Sequence, residues 1–284
     1  MIASARAEAL RLAKWPVTWL LAGVWLVLNL SFAYLFTYLS FRSAVSDGDD
    51  RLAASLLSQV SMEQLPSTLV QGMPMFGGAI VLIFAALATG SGYGWSTWKT
   101  VFTNGPARLT AFSGTLTAIA GFVAALVLST LALDIAASAG IHLLESEPVE
   151  WPAVTDLAQG TGAGLLILGM YAAFGAALGV LTRSPALSVG LGLVWALVIE
   201  NLLRGVAELL GPVEAVTDVL PGTAAGSLAG ALGAAGETAG GAPSAGGTPG
   251  VLAILDGGPA TALLLCYAAA FMVLTAVLVR RRDV

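Results

Sequence analysis

The stretch Trp15–Phe41, WPVTWLLAGVWLVLNLSFAYLFTYLSF, runs for 27 residues without a charge. At ~1.5 Å per residue a helix of that length is roughly 40 Å long, which exceeds a ~30 Å hydrocarbon layer, so it crosses with tilt or projects beyond the membrane. Arg6, Arg11 and Lys14 precede it, as basic residues precede the apolar core of a signal peptide. The run is too long for that reading and no small-x-small cleavage site follows, so the stretch reads as an uncleaved span. Residues 1–14 form either a short amphipathic helix on the inner membrane surface or a charged tail that anchors the span. The far half of the span is polar, with Asn29, Ser31, Tyr34, Thr37 and Tyr38. These line a substrate path or a subunit contact, or they supply interhelical hydrogen bonds and an interfacial aromatic belt.

Working outward, the rest of the chain repeats the pattern. The whole sequence is 57% hydrophobic and 10% charged, against about 25% charged in soluble domains. Further spans are expected over about 73–89, 111–133, 162–181, 186–199 and 259–279, the third ending near Asp134. That makes six membrane-spanning helices in an all-α protein. In the polar loop 42–68, Leu52, Leu56 and Val60 recur every four residues and predict a short surface helix. Residues 139–158 carry Glu145, Glu147, Glu150 and Asp156 and read as a solvated loop without calcium-site spacing. Thr182-Arg183-Ser184-Pro185 is a tight break that makes spans four and five antiparallel neighbours. Glu200 and Arg204, four residues apart, read as a paired, water-accessible end cap. In the loop 205–258, Val206–Leu220 suits the interface, Pro221–Leu232 could dip into the membrane and return, and Gly233–Gly250 reads as a flexible linker.

Six spans place both termini on one side. With the termini inside, that side holds Arg6, Arg11, Lys14, Lys99, Arg108, Arg183, Arg280, Arg281 and Arg282, which is 9 of the 12 Lys and Arg. The outer side holds Arg42, Arg51 and Arg204. The bias predicts cytoplasmic termini and a cytoplasmic loop 90–108. That loop, GSGYGWSTWKTVFTNGPAR, combines aromatics with cations, and a helix from about Ser96 to Thr103 would put Trp98 and Phe102 on one side and Lys99 on another.

The chemistry missing from the sequence limits its function. There is no G-x-x-x-x-G-K-[ST] phosphate loop, no H-E-x-x-H and no G-x-S-x-G. One His and one Cys leave no metal cluster and no catalytic constellation, and no basic cluster suggests nucleic acid. Span interiors free of charge argue against a proton relay. The expectation is a chain that is no enzyme by itself and binds no cofactor.

Three stretches together resemble the permease subunit of ABC-2 type ABC transporters, mostly bacterial exporters. They are the loop GSGYGWSTWKTVFTNGPAR, then TRSPALSVGLGLVWALVIENLL from Thr182 to Leu203, then LPGTAAGSLAGAL from Leu220 to Leu232 followed by a last span with an Arg-rich tail. Gly92 stands where the family pattern has Glu, and Ser96 where it has Gly. The resemblance implies a plasma-membrane, multi-pass exporter subunit that pairs with a second permease subunit, identical or similar. Two copies of a separate cytoplasmic ATPase would hold the ATP and magnesium. It makes the loop after span two the coupling helix that docks on the ATPase, with Tyr93, Thr97, Trp98, Lys99, Phe102 and Arg108 as the docking residues. It also implies a substrate path between the membrane subunits, lined by spans one, two and five, and Asn29, Tyr34 and Tyr38 are the residues of span one expected to face it. The alternative is a membrane scaffold or sensor subunit that transports nothing.

Overall fold

The computed structural model describes residues 2–94, 107–207, 211–234 and 247–281. Among these the secondary structure is helical throughout. Helix α1 (Ile2–Lys14) is followed by six helices long and apolar enough to cross a membrane: α2 (Pro16–Asp47), α4 (Met62–Tyr93), α5 (Arg108–Glu145), α6 (Val154–Thr182), α7 (Pro185–Ala207) and α10 (Gly257–Arg281). Shorter helices α3 (Asp50–Gln59), α8 (Gly211–Thr217) and α9 (Pro221–Ala231) lie between them. This is the architecture of a multi-pass membrane protein.

Local chemistry sets the breaks. Pro16 opens α2, and Gly48 closes it in the left-handed region at φ 74°. The Asp49 carboxylate then accepts from the Leu52 N–H and starts α3, satisfying a donor that the first helical turn leaves unpaired. At the second hairpin Arg183 takes the left-handed conformation, Ser184 caps α7 and Pro185 occupies its first turn, where a missing N–H costs nothing.

Helices α4 and α6 form the centre. In each, 72% of the most apolar stretch is buried, against 22% in α2 and 17% in both α7 and α10. Small residues bring the two backbones together. A Cβ on Gly175 would meet the Leu82 carbonyl, and one on Gly179 would meet the Thr89 hydroxyl. Close approach through small residues is how helices associate where no hydrophobic force separates helix from lipid. Trp25 of α2, 1% exposed, fills the space beside Gly72 and Gly77 and ties the first span to this pair.

The bundle has two distinguishable ends. At one, Ala111, Phe112, Val180 and Val279 cluster with Tyr93 beside them, and Ser4 of α1 donates to the Ala111 carbonyl at 3.0 Å. At the other, Ala33, Tyr34, Val60 and Ile141 cluster.

The helices outrun their apolar stretches. The first span continues through Arg42 to Asp47, the second begins at Met62 rather than near Met73, and the third continues past Asp134 to Glu145. Asp134 therefore lies inside a helix and not at its end, and residues 139–145 are helix rather than loop. An α-helix satisfies its own backbone hydrogen bonds, so it does not stop where hydropathy falls.

Candidate functional site

Helix α5 carries Thr130, Asp134, Ser138 and His142 at intervals of four, one polar stripe on one face. All four are buried. Helix α2 answers it. The Trp25 indole N–H donates to Thr130 Oγ1 at 2.8 Å, and the Asn29 amide donates to Asp134 Oδ1 at 2.6 Å. Tyr34, 3% exposed, lies within electrostatic reach of Asp134. Further along, the Tyr38 hydroxyl donates to Glu145 Oε1 at 2.7 Å, and Arg42 stands 3.5 Å from the same oxygen. Ser138 donates to the Val60 carbonyl, and His142 Nδ1 is 2.9 Å from the Ser138 carbonyl.

The α2 side of this seam reads Trp25, Asn29, Tyr34, Tyr38, Arg42, with one step of five residues among steps of four. On a regular helix that step would rotate Tyr34 away from Asn29. The backbone solves it with a π-helical turn over Leu30–Leu35, which absorbs one extra residue and returns the second half of the span to the same face. Sequence reasoning chose Asn29, Tyr34 and Tyr38 as lining a path. The structure does place them on one face, but Asn29 and Tyr34 are buried against α5.

Asp134 is the chemically unusual member. It is 0% exposed, its Oδ1 has the Asn29 amide, and its Oδ2 has no hydrogen-bond partner among the described residues. Counting ~1.5 Å per residue from Ala111, it sits roughly 35 Å along α5, near the level where a ~30 Å hydrocarbon layer would end. The sequence put Asp134 at the end of span three, and its burial against α2 is what that reading did not foresee. The recurrence Thr130-Asp134-Ser138-His142 was the available signal.

A second buried carboxyl corrects another expectation. Glu200 is 1% exposed, not a water-accessible cap. Its Oε1 accepts from the Trp195 indole N–H at 2.8 Å, and its Oε2 accepts from the Gly222 backbone N–H at 2.8 Å. Gly222 belongs to the first turn of α9, where N–H groups lack helical partners and the helix dipole favours negative charge. Trp195 and Glu200 are five residues apart, and a π-helical turn over Val194–Ile199 aligns them. Arg204 turns instead to Asn201 Oδ1. Helix α9 is buried from Pro221 to Ala229. The chain then returns along it, with Leu252 N–H donating to the Gly226 carbonyl and Leu255 N–H to Ser227 Oγ.

Of the expected docking residues, Thr97, Trp98, Lys99 and Phe102 lie outside the described residues, as does the helix expected over Ser96–Thr103. Tyr93 packs beside Ala111, Phe112, Val180 and Val279, and the Arg183 guanidinium stands 5.8 Å from its ring centre. Arg108 opens α5 at the same end. Among the described residues no three His, Cys, Asp or Glu side chains gather as a metal site would require. No protein-family model matches the chain, and no curated protein matches its sequence.

Proposed function

We propose that the chain is the membrane-spanning permease subunit of an ATP-driven exporter of the ABC-2 type, seated in the plasma membrane with both termini cytoplasmic. The observation that carries this reading is the order of the three resembling stretches along a chain with six membrane-length helices. The arrangement supports it. Helix α1, Tyr93, Arg108, the Arg183 turn and the end of α10 gather at one end of the bundle, so one soluble partner could touch them together. Arg6, Arg11, Lys14, Arg108, Arg183, Arg280 and Arg281 lie on the segments of that end, and cytoplasmic loops carry such an excess.

In this reading two ATPase subunits bind and hydrolyse ATP with magnesium, and the loop 90–108 passes their closure to the spans as a rigid-body movement. Tyr93, Thr97, Trp98, Lys99, Phe102 and Arg108 form the contact, aromatic and cationic residues being common anchors of interfaces. The open apolar faces of α2, α7 and α10 (Trp19, Val27, Leu191, Val198 and Val273 among them) are available to a second permease subunit and to lipid. Helix α9 and its return segment form a re-entrant element held by Glu200.

The deciding experiment is affinity purification of the tagged chain in mild detergent with mass spectrometry of co-purifying proteins. A stoichiometric ATPase subunit is expected. Replacing Trp98 and Lys99 together should then uncouple ATP hydrolysis from transport. Reproducible absence of an ATPase beside an intact, folded chain would transfer the reading to a non-transporting scaffold or sensor.

A further inference from the structure

Helices α1 and α5 leave a groove between them, next to the end of the bundle where Phe112, Val180 and Val279 gather. It encloses about 530 Å³, within the roughly 300–1,000 Å³ usual for small-ligand sites. Arg6 and Ala9 line it from α1, Thr117, Gly121 and Phe122 from α5, and Trp19 from the start of α2. The junction of α1 with α2 fixes one wall. The last carbonyls of a helix lack helical partners, and α2 supplies them here. The Thr18 hydroxyl donates to the Leu12 carbonyl at 2.6 Å, and the Trp19 indole N–H donates to the Ala13 carbonyl at 2.7 Å. The tryptophan ring is thereby held beside the groove although it is 68% exposed. On α5, a Cβ at Gly121 would meet nothing within 4 Å, so the groove is open there.

The groove has a polarity along the span. Ser4 bonds to the Ala111 carbonyl, which sets Arg6 beside the first turns of α5. Leu12 joins the cluster that includes Ile119 and Val123, several residues deeper into the same helix. A cation therefore marks the mouth of the groove, and apolar side chains mark its depth. Thr117 does not alter this, because its hydroxyl donates to the Ser113 carbonyl of its own helix. Arg6 is exposed and makes no ion pair with the described residues, whereas Arg11 is held by Glu8 at 2.8 Å and by the Ala88 carbonyl at 3.2 Å. The surroundings of Arg6 are basic by sequence alone. The segments assigned to this end carry nine Lys and Arg and only two acids, Glu8 and Asp283.

That order matches an amphiphile with an anionic head and an apolar tail. A lipid tail is as apolar as the groove wall, so moving it from bilayer to groove changes little free energy. The head then decides which lipid stays. Cytoplasmic leaflets are anionic, and one Lys or Arg near such a surface is worth about fivefold in binding. A second groove, among α5, α6 and α10, has no charged side chain in its lining and so distinguishes no head from tail.

We propose that the α1–α5 groove holds one anionic phospholipid, its phosphate at the Arg6 guanidinium and an acyl chain along Ala9, Trp19 and Phe122. Only the side of the membrane rests on the function proposed above, and binding in symmetric discs without an ATPase is measured independently of it.

The test places the full chain in phosphatidylcholine nanodiscs doped with phosphatidylglycerol and reads retained lipid by native mass spectrometry. Wild type should keep one phosphatidylglycerol in preference to phosphatidylcholine, and glycerophosphate, a head without a tail, should not displace it. Arg6→Ala should lower the preference about fivefold, and Arg6→Lys should keep most of it. Gly121→Leu places a side chain in the open part of the groove and should remove retention of both lipids at unchanged thermal stability. Ala9→Leu fills the groove from the α1 side should the Gly121 variant fail to fold. Arg51→Ala, an exposed cation of α3, should change nothing. Equal retention of the two lipids by wild type, a loss in Arg51→Ala as large as in Arg6→Ala, or displacement by glycerophosphate overturns the proposal. So does a dimer of the chain that Gly121→Leu abolishes while lipid retention persists.

Discussion

Two carboxyl groups are buried to the same degree, Glu200 at 1% and Asp134 at 0%, and their surroundings differ. Glu200 has a donor on each oxygen, one from an indole in its own helix and one from the first turn of α9. Asp134 has one donor from a neighbouring helix and one oxygen without a partner among the described residues. A buried charge is costly unless its lone pairs are satisfied. Glu200 meets that condition and therefore acts as a structural anchor. Asp134 meets half of it, which leaves its second oxygen open to a change of state.

The contrast can be broken most forcefully at Glu200. Glu200→Ala removes an acceptor from two donors at once and should lower unfolding free energy by about 3 kcal/mol. It should also release α9, so that a cysteine placed at Ala224 becomes reactive to thiol reagents. An unreactive Ala224→Cys in that background would deny Glu200 its anchoring role. Next comes Asn29→Leu, which strips Asp134 of the donor on Oδ1 and should cost about 2–3 kcal/mol. Asp134→Asn in the wild-type background keeps a carbonyl for the Asn29 amide and should cost less than about 1 kcal/mol. Titration with SDS in mixed micelles measures all three, and an Asp134→Asn cost as large as that of Asn29→Leu would erase the distinction drawn here. Smallest is Tyr38→Phe. Its bond to Glu145 sits on a half-exposed face with Arg42 beside it, so about 0.5 kcal/mol is expected. A larger loss would extend the well-ordered seam to the end of α2.

The six spans were legible because apolar runs of about 20 residues have few other uses. Their limits were not. Arg42–Asp47 and Asp134–Glu145 look like loop by composition, yet they continue helices whose backbone bonds are already satisfied. The turn at Thr182–Pro185 was readable from Ser184 and Pro185, whose preferences are local. The seam was not, since Trp25–Thr130 and Asn29–Asp134 each join residues 105 apart in sequence. Asn29, Tyr34 and Tyr38 were noticed as polar, but their common face depends on a π-helical turn that no side-chain pattern announces. Glu200 and Arg204 were paired on spacing alone, while the carboxylate found a donor 22 residues away.

The π-helical turn at Leu30–Leu35 also works as a phase setting. Above and below it α2 is ordinary α-helix, and one surplus residue fixes the angle between the halves. Were that surplus to travel past Arg42 to the end of the helix, with each peptide bond handing its hydrogen bond to the next, the residues it passed would turn by about 100° while the inner half stayed still. Tyr34, Tyr38 and Arg42 would then turn away from α5. The first span thus resembles a crankshaft with an adjustable joint, in which a small backbone shift becomes a large rotation of side chains.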